Sequence, residues 1–335
     1  MRYLTNDSTD PHWNMAFDET ALTALPSPEP LFYLWQNRPA VIIGRNQSAP
    51  AEVNLPYLEE HGIVLARRVT GGGAVYHDLG NLNYSFVGGV REMDALQPVQ
   101  LMAAALRSLG IPAEVSGRND ILVEGRKCSG YAKRLAGTRM MIHGTLMWNV
   151  DLAALSAALS VPGSKFATSA IASVRSKVCN LSEYLPGWTL EQFRAALHRF
   201  LAGDEMPASG DFLSKVNALA DSKFRSWDWI YGHSPETDFT ASRKFKGCGT
   251  VRVHFSVRHG LLADVSFSGD FLGALSLDTP LPSALCPAPL VGQTLPEALN
   301  GTHYTPADLS DVLSTLPVSS YFDGLTASNL LSLFF

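Results

Sequence analysis

An α+β fold is expected for this chain of 335 residues, with a large mixed domain over residues 1–245 and a small α+β domain over 246–335. Two observations predict it. Short β-rich runs bounded by glycine, proline and asparagine alternate with helical patterns through the first part. A polar stretch over 232–247 without periodicity then reads as a connector, and beyond it a hairpin and a capped helix suffice for a second, smaller layer.

The elements follow in order. Leu31-Phe32-Tyr33-Leu34-Trp35 and Ala40-Val41-Ile42-Ile43-Gly44 read as paired strands about the turn Asn37-Arg38-Pro39. Ile63 to Ala66 reads as a strand feeding a glycine turn, and Leu82 to Val87 as another. Gln100 to Leu109 is helical, stopped by Gly110 and Pro112. Strands are expected at Ile121 to Glu124, from Lys127 towards Arg134 and from Arg139 towards Trp148. Thr189 and Gln192 have capping-box spacing and open a helix through about Leu201. Thr250 to Val257 and Leu261 to Phe267 form the late hairpin, and Thr305-Pro306 places a cap and an N1 proline before a helix.

Composition narrows the function classes. Hydrophobic residues make up 46% of the chain, enough for a sizeable core, and the net charge of −5 argues against a nucleic-acid binder. The four cysteines are scattered with no C-x-x-C, so neither a zinc ribbon nor a thioredoxin-like pair is indicated and free thiols in a reducing compartment are expected. The N-terminus lacks the apolar core of a secretory signal and no apolar run reaches membrane-span length. The expectation is a cytoplasmic protein with no membrane or nucleic-acid partner. A monomer is expected, since no heptad run is present.

The most informative stretch is Arg67-Arg68-Val69-Thr70-Gly71-Gly72-Gly73-Ala74-Val75-Tyr76-His77-Asp78. Glycines let the backbone take positive φ and approach a ligand closely, and successive amides can form an anion-binding nest. Two guanidinium groups beside them suit phosphate or carboxylate. This is neither a Walker loop nor a dinucleotide fingerprint, because a strand-like run follows the glycines. A second constellation joins Ser116 to Asp120 with Gly125-Arg126-Lys127-Cys128-Ser129-Gly130. Small residues leave room beside Lys127, a compact point charge able to bridge a carboxylate and a phosphate. Asp120 could balance that charge or help hold a metal with the phosphates. Met141 to Leu146 carries His143 on a β pattern, where a histidine is more often a core residue than a catalyst. Lys165 to Val178 is rich in hydroxyls and basic groups, fitting an ordinary loop or a flap that orders over a phosphate.

As an ordered set, the glycine stretch, Gly125-Arg126-Lys127, His143-Gly144-Thr145 and Ile171-Ala172-Ser173-Val174-Arg175 closely resemble the lipoate–protein ligase A family, over most of the chain from Asn14 onward. The resemblance implies a biotin/lipoate-ligase-like catalytic domain, with mixed β-sheets flanked by helices, and a small accessory domain. It implies ATP and Mg²⁺ as cofactors and lipoate as substrate, with lipoyl-AMP formed and pyrophosphate released. The lipoyl group then passes to a lysine on apo lipoyl domains of 2-oxoacid dehydrogenase E2 subunits or on glycine-cleavage H protein. By position, Lys127 is implied as the catalytic lysine. Arg67, Arg68, Gly71, Gly72, Gly73, Ala74, Val75, Tyr76, His77, Asn119, Asp120 and His143 are implied to bind nucleotide or lipoate with it. Thr168, Ser169, Ile171, Ala172, Ser173, Val174 and Arg175 are implied to form the adenylate loop. Asp120 is the candidate metal ligand. Thr70 stands where many relatives have serine, and its hydroxyl is retained.

Three other readings are open on sequence. One is a lipoyl or octanoyl transferase that uses an acyl carrier; one branch of that superfamily has a cysteine three residues before its His-Gly, where this chain has Met140, and Cys128 is the thiol that could substitute. Another is a transferase that uses preformed acyl-AMP. The third is a non-catalytic lipoate- or nucleotide-binding module. A biotin ligase is disfavoured, since no DNA-binding N-terminal module is present.

Overall fold

Two mixed sheets and one antiparallel sheet carry the fold of this computed structural model, which describes residues 1–25, 29–94, 96–116, 120–160, 177–201 and 203–335, with Ala167–Thr168 described as backbone alone. Packing contacts gather the described residues of 1–45, 64–156 and 173–229 into one unit and those of 46–63, 157–172 and 230–335 into another.

The first unit holds an eight-stranded sheet. In spatial order its strands are Glu205–Met206, Arg2–Leu4, Leu31–Trp35, Asn81–Gly89, Arg139–Met147, Arg126–Ala136, Asp120–Val123 and Ala113–Ser116. Both faces are covered. Phe32, Leu34, Tyr84, Phe86, Ile142 and Leu146 pack one way, with Met102 and Leu106 of helix Gln97–Ser108 and Phe193 and Leu197 of helix Leu190–Leu201. Leu31, Tyr33, Trp35, Val87 and Met141 pack the other way, with Phe17 of helix Pro11–Ala24 and Phe212 and Val216 of helix Gly210–Leu219. Alternate residues of one strand thus serve two cores, which is why Leu31–Trp35 reads as an unbroken apolar run.

Double burial also explains a correction. Leu31–Trp35 does not pair with Ala40–Ile43. It lies between Arg2–Leu4 and Asn81–Gly89, whereas Ala40–Ile43 is the centre of a separate three-stranded sheet between Val64–Arg67 and Val75–His77. A run buried on both faces has no alternation to identify its partner, so adjacency in sequence is a misleading guide.

The second unit is built on a four-stranded antiparallel sheet ordered Ala167–Thr168, Thr237–Phe245, Gly249–Arg258 and Leu261–Gly269. Phe239, Phe255 and Tyr304 stack over it, with ring centroids 5.1 Å and 5.9 Å from Phe239. Here the expected connector over 232–247 is corrected: Thr237–Phe245 is a nine-residue strand whose Thr237, Phe239 and Ala241 are buried. Only one of those three is large and apolar, so the alternation is concealed in the sequence. The late hairpin forms as expected, and the Thr305 hydroxyl accepts from the Asp308 amide at 3.1 Å to cap helix Pro306–Ser314. Among the described residues no helix is long and apolar enough to cross a membrane.

Candidate active site

The glycine turn is held from below by Arg68. Its Nη2 donates to the carbonyls of Gly71 and Gly73 at 2.7 and 2.8 Å, its Nη1 to Ile42 at 3.0 Å and its Nε to the Thr70 hydroxyl at 3.0 Å. These acceptors are all neutral oxygens. They satisfy the guanidinium geometrically without cancelling its charge, so the turn sits in a positive field suited to an anion. Of the three glycines, Gly72 is the one with φ in the left-handed region, at +95°, and a Cβ there would lie 2.9 Å from Arg68 Nη2. Arg67 points elsewhere. It is fully buried, with Nε donating to the Trp229 carbonyl at 2.9 Å and Nη1 to those of Gly44 and Arg45. Burial lowers both arginines to about 10, which leaves them charged at neutral pH.

From this turn a buried polar chain runs into the large sheet. Thr70 Oγ1 lies 2.7 Å from His143 Nε2, and His143 Nδ1 lies 2.6 Å from Asp18 Oδ2. Asp18 Oδ1 accepts from the Tyr33 hydroxyl at 2.6 Å and from Ser85 Oγ at 2.9 Å. Strand register creates this cluster: Tyr33 is opposite Ser85, and Ser85 is opposite His143, so three neighbouring strands present polar groups in one row to helix Pro11–Ala24. Asp18, Tyr33 and Ser85 are not among the residues the sequence pattern singles out. A signal exists, for Asp18 lies in helical spacing with the buried Met15 and Leu22, a carboxylate on an apolar stripe.

His77 closes the loop segment. Strand Val75–His77 brings it beside Asn37, whose Nδ2 is 3.0 Å from His77 Nδ1. Asn37 Oδ1 in turn accepts from Asn14 Nδ2 at 2.8 Å, so Asn37 has its amide N–H to give and His77 Nδ1 accepts it. The ring proton is then on Nε2, which is buried and makes no hydrogen bond among the described residues. Burial first, then the Arg68 charge, depresses His77 to about 3, so it is neutral at ordinary pH. An orphaned, neutral N–H donor is what a ligand acceptor atom could satisfy.

Lys127 sits at the start of strand Arg126–Ala136, next to a bulge in its pairing with Asp120–Val123. The extra residue re-aims the chain, and the Lys127 side chain runs over Gly130 to place Nζ 2.8 Å from Asp120 Oδ1. A Cβ on Gly130 would lie 2.9 Å from Lys127 Nζ, so glycine there keeps the path open. Its backbone is clasped as well: Lys127 N donates to the Lys177 carbonyl at 2.8 Å, and Cys179 N to the Lys127 carbonyl at 3.0 Å. The segment that follows residues 169–176 therefore docks beside this lysine. Gly130 N also donates to Thr145 Oγ1 at 3.2 Å, which ties the lysine strand to the strand of His143. Asn119, Ser169, Ile171, Ala172, Ser173, Val174 and Arg175 lie outside the described residues, and Thr168 is described only as backbone paired to strand Thr237–Phe245.

Metal ligation has little to build on. Among the described residues no group of three His, Cys, Asp or Glu side chains could hold an ion, and Asp120 is already engaged by Lys127. Cys128 next to the lysine is fully buried, its Sγ donating to the Ile121 carbonyl, and burial pushes its thiol up to about 12. Such a sulfur is neither ionised nor reachable, which removes the physical basis for a thioester at that position.

Against known proteins, residues 10–202 match the lipoyl protein ligase A/B catalytic domain and residues 234–334 the bacterial lipoate protein ligase C-terminus. The chain belongs to the lipoate–protein ligase family. Its fold and its standing as an enzyme follow from that membership, as the resemblance implied. Lipoate-protein ligase LplJ of Bacillus subtilis is 33% identical over all of both chains. A bi-partite lipoate protein ligase from the archaeal lipoylation system of Thermoplasma acidophilum, described together with its E2 lipoyl domain, superposes with a TM-score of 0.61 at 29% identity, covering 69% of this chain and 96% of that one. A lipoate-protein ligase A bound with ATP gives 0.60 at 29% identity, covering 69% and 98%.

Proposed function

We propose that the chain is an ATP-dependent lipoate–protein ligase. It joins lipoate to ATP, giving lipoyl-AMP and pyrophosphate, and then transfers the lipoyl group to a specific lysine of apo lipoyl domains, on 2-oxoacid dehydrogenase E2 subunits and on glycine-cleavage H protein. The observation that carries this reading is the Lys127 arrangement: a cation held at 2.8 Å by Asp120, over a glycine, with the segment after residues 169–176 hydrogen-bonded to its backbone.

In the first step a carboxylate oxygen attacks the α-phosphate and the phosphate–pyrophosphate bond breaks. Two anions must approach, and Lys127 supplies a positive charge between them as negative charge builds on the transferred phosphate. The uncancelled field of Arg68 acts at the glycine turn, and the His77 Nε2–H and the turn amides offer donors to ligand oxygens. In the second step the acceptor lysine attacks the acyl carbon and AMP leaves, with Lys127 again near the carbonyl oxygen. A magnesium ion would arrive with the nucleotide phosphates, with Asp120 the carboxylate placed to help hold it, and would offset phosphate charge when bound. Thr168, Ser169 and Ile171 to Arg175 are assigned to the adenylate loop by motif, and the docking of Lys177 to Cys179 beside Lys127 supports that assignment. Residues 1–245 are assigned activation and 246–335 an accessory role. The family matches over 10–202 and 234–334 support an organisation in two parts, and with strand Thr237–Phe245 belonging by its sheet to the later part, the boundary falls before 237 rather than at 245.

The test is pyrophosphate release from purified protein with ATP, Mg²⁺ and lipoate, followed by mass analysis after an apo lipoyl domain is added. Pyrophosphate together with a lipoylated domain is the expected result. Modification only when lipoyl-AMP is supplied would make the protein a transferase and overturn the activation step.

A further inference from the structure

We propose that Asp18 is a positioning residue for acyl activation, acting through His143 and Thr70 to fix Arg68 and the glycine turn. The proposal rests on the ligase reading above and deepens it. An ionised carboxylate can only accept hydrogen bonds, and Asp18 already accepts from Tyr33 and Ser85. Facing it at 2.6 Å, His143 Nδ1 is therefore the donor. With the ring proton on Nδ1, Nε2 accepts, and the group 2.7 Å away is the Thr70 hydroxyl, whose proton points to it. That leaves the Thr70 oxygen lone pairs free for Arg68 Nε at 3.0 Å.

The chain thus reads in one direction, from the guanidinium through hydroxyl and imidazole to the carboxylate. Asp18 and Thr70 are 1% exposed, His143 6% and Arg68 7%, so water cannot replace a missing link. At its far end Arg68 Nη2 holds the carbonyls of Gly71 and Gly73. Held there, those carbonyls cannot swing towards an incoming phosphate, where their negative ends would repel it. The carboxylate thereby sets which face of the turn meets an anion, although none of the bonds described for it reaches the turn itself.

The experiment combines ¹⁵N spectroscopy of His143 with kinetics of lipoyl-AMP formation. In the wild type the ring proton is expected on Nδ1, with Nε2 an acceptor; a proton on Nε2, alone or together with one on Nδ1, overturns the proposal. Asp18→Asn and Thr70→Val are each expected to slow lipoyl-AMP formation about a hundredfold, the scale of an ångström of misplacement, with KM for ATP and lipoate changed by less than about threefold. Thr70→Ser, which keeps the hydroxyl, is expected near wild type. The double variant Asp18→Asn/Thr70→Val is expected to be no slower than the slower single, because both break one path. Wild-type rates in Asp18→Asn, Thr70→Ser as slow as Thr70→Val, or a double variant showing the product of the two losses would each overturn it. Should Asp18→Asn not fold, the Thr70 pair and the wild-type tautomer still decide. A wild-type protein that forms no lipoyl-AMP overturns the ligase reading itself, a result distinct from an active wild type that is indifferent to Asp18.

Discussion

Replacing Gly72 with alanine isolates what the glycine turn contributes, and Gly71→Ala is its internal control. Gly72 has φ of +95°, which costs an L-residue about 1–2 kcal/mol. Its new Cβ would stand 2.9 Å from Arg68 Nη2. The guanidinium can yield, but only by loosening its bonds to the Gly71 and Gly73 carbonyls at 2.7 and 2.8 Å. Bonds to a charged donor contribute about 1.5–3 kcal/mol each. Strain plus one such bond lost therefore comes to about 2.5–5 kcal/mol of stability. Gly71 has no positive φ, and a Cβ added there would meet nothing within 4 Å, so Gly71→Ala should fall within about 0.5 kcal/mol of wild type. Thermal and denaturant unfolding give the stabilities, and ATP–pyrophosphate exchange gives the activity, which Gly72→Ala should lose in parallel. Equal stability of the two variants would refute the reasoning, because backbone sign and Arg68 proximity are what separates them.

Further outcomes follow from the same geometry. Lys127→Ala should slow lipoyl-AMP formation by about 10²–10³, the effect of removing one preorganised donor to developing charge, and exchange kinetics near wild type would exclude Lys127 from that role. Cys128→Ala should keep full transfer activity, since its buried thiol is pushed up to about 12; loss of activity with an intact fold would revive a thioester route. His77, depressed to about 3 when folded, leaves the unfolded chain free to protonate near 6.5. Its contribution to stability is thus complete above about pH 6.5 and is lost as pH falls towards 3, by up to about 1.4 kcal/mol per pH unit. His77→Gln should flatten that acid limb in unfolding titrations, and an unchanged slope would contradict the burial of a neutral ring.

Much of this protein is legible before folding is considered. The Arg-Arg-Val-Thr-Gly-Gly-Gly turn, Lys127 among small residues, the capping box at Thr189 and the hairpin near 258–260 are local features, and each forms where the sequence places it. Local chemistry is written locally: glycine spacing, cap residues and alternation act within a few residues of one another. What tertiary structure alone decided is which distant groups meet. Leu31–Trp35 found Asn81–Gly89 rather than its sequence neighbour, because a strand buried on both faces carries no mark of its partner. That same register set Tyr33, Ser85 and His143 in one row under Asp18, and so turned a carboxylate on an apolar helical stripe into the anchor of a polar chain. It also decided that Arg67 and Arg68, adjacent in sequence and identical in chemistry, serve different places, since successive residues at a strand end face opposite sides of the sheet.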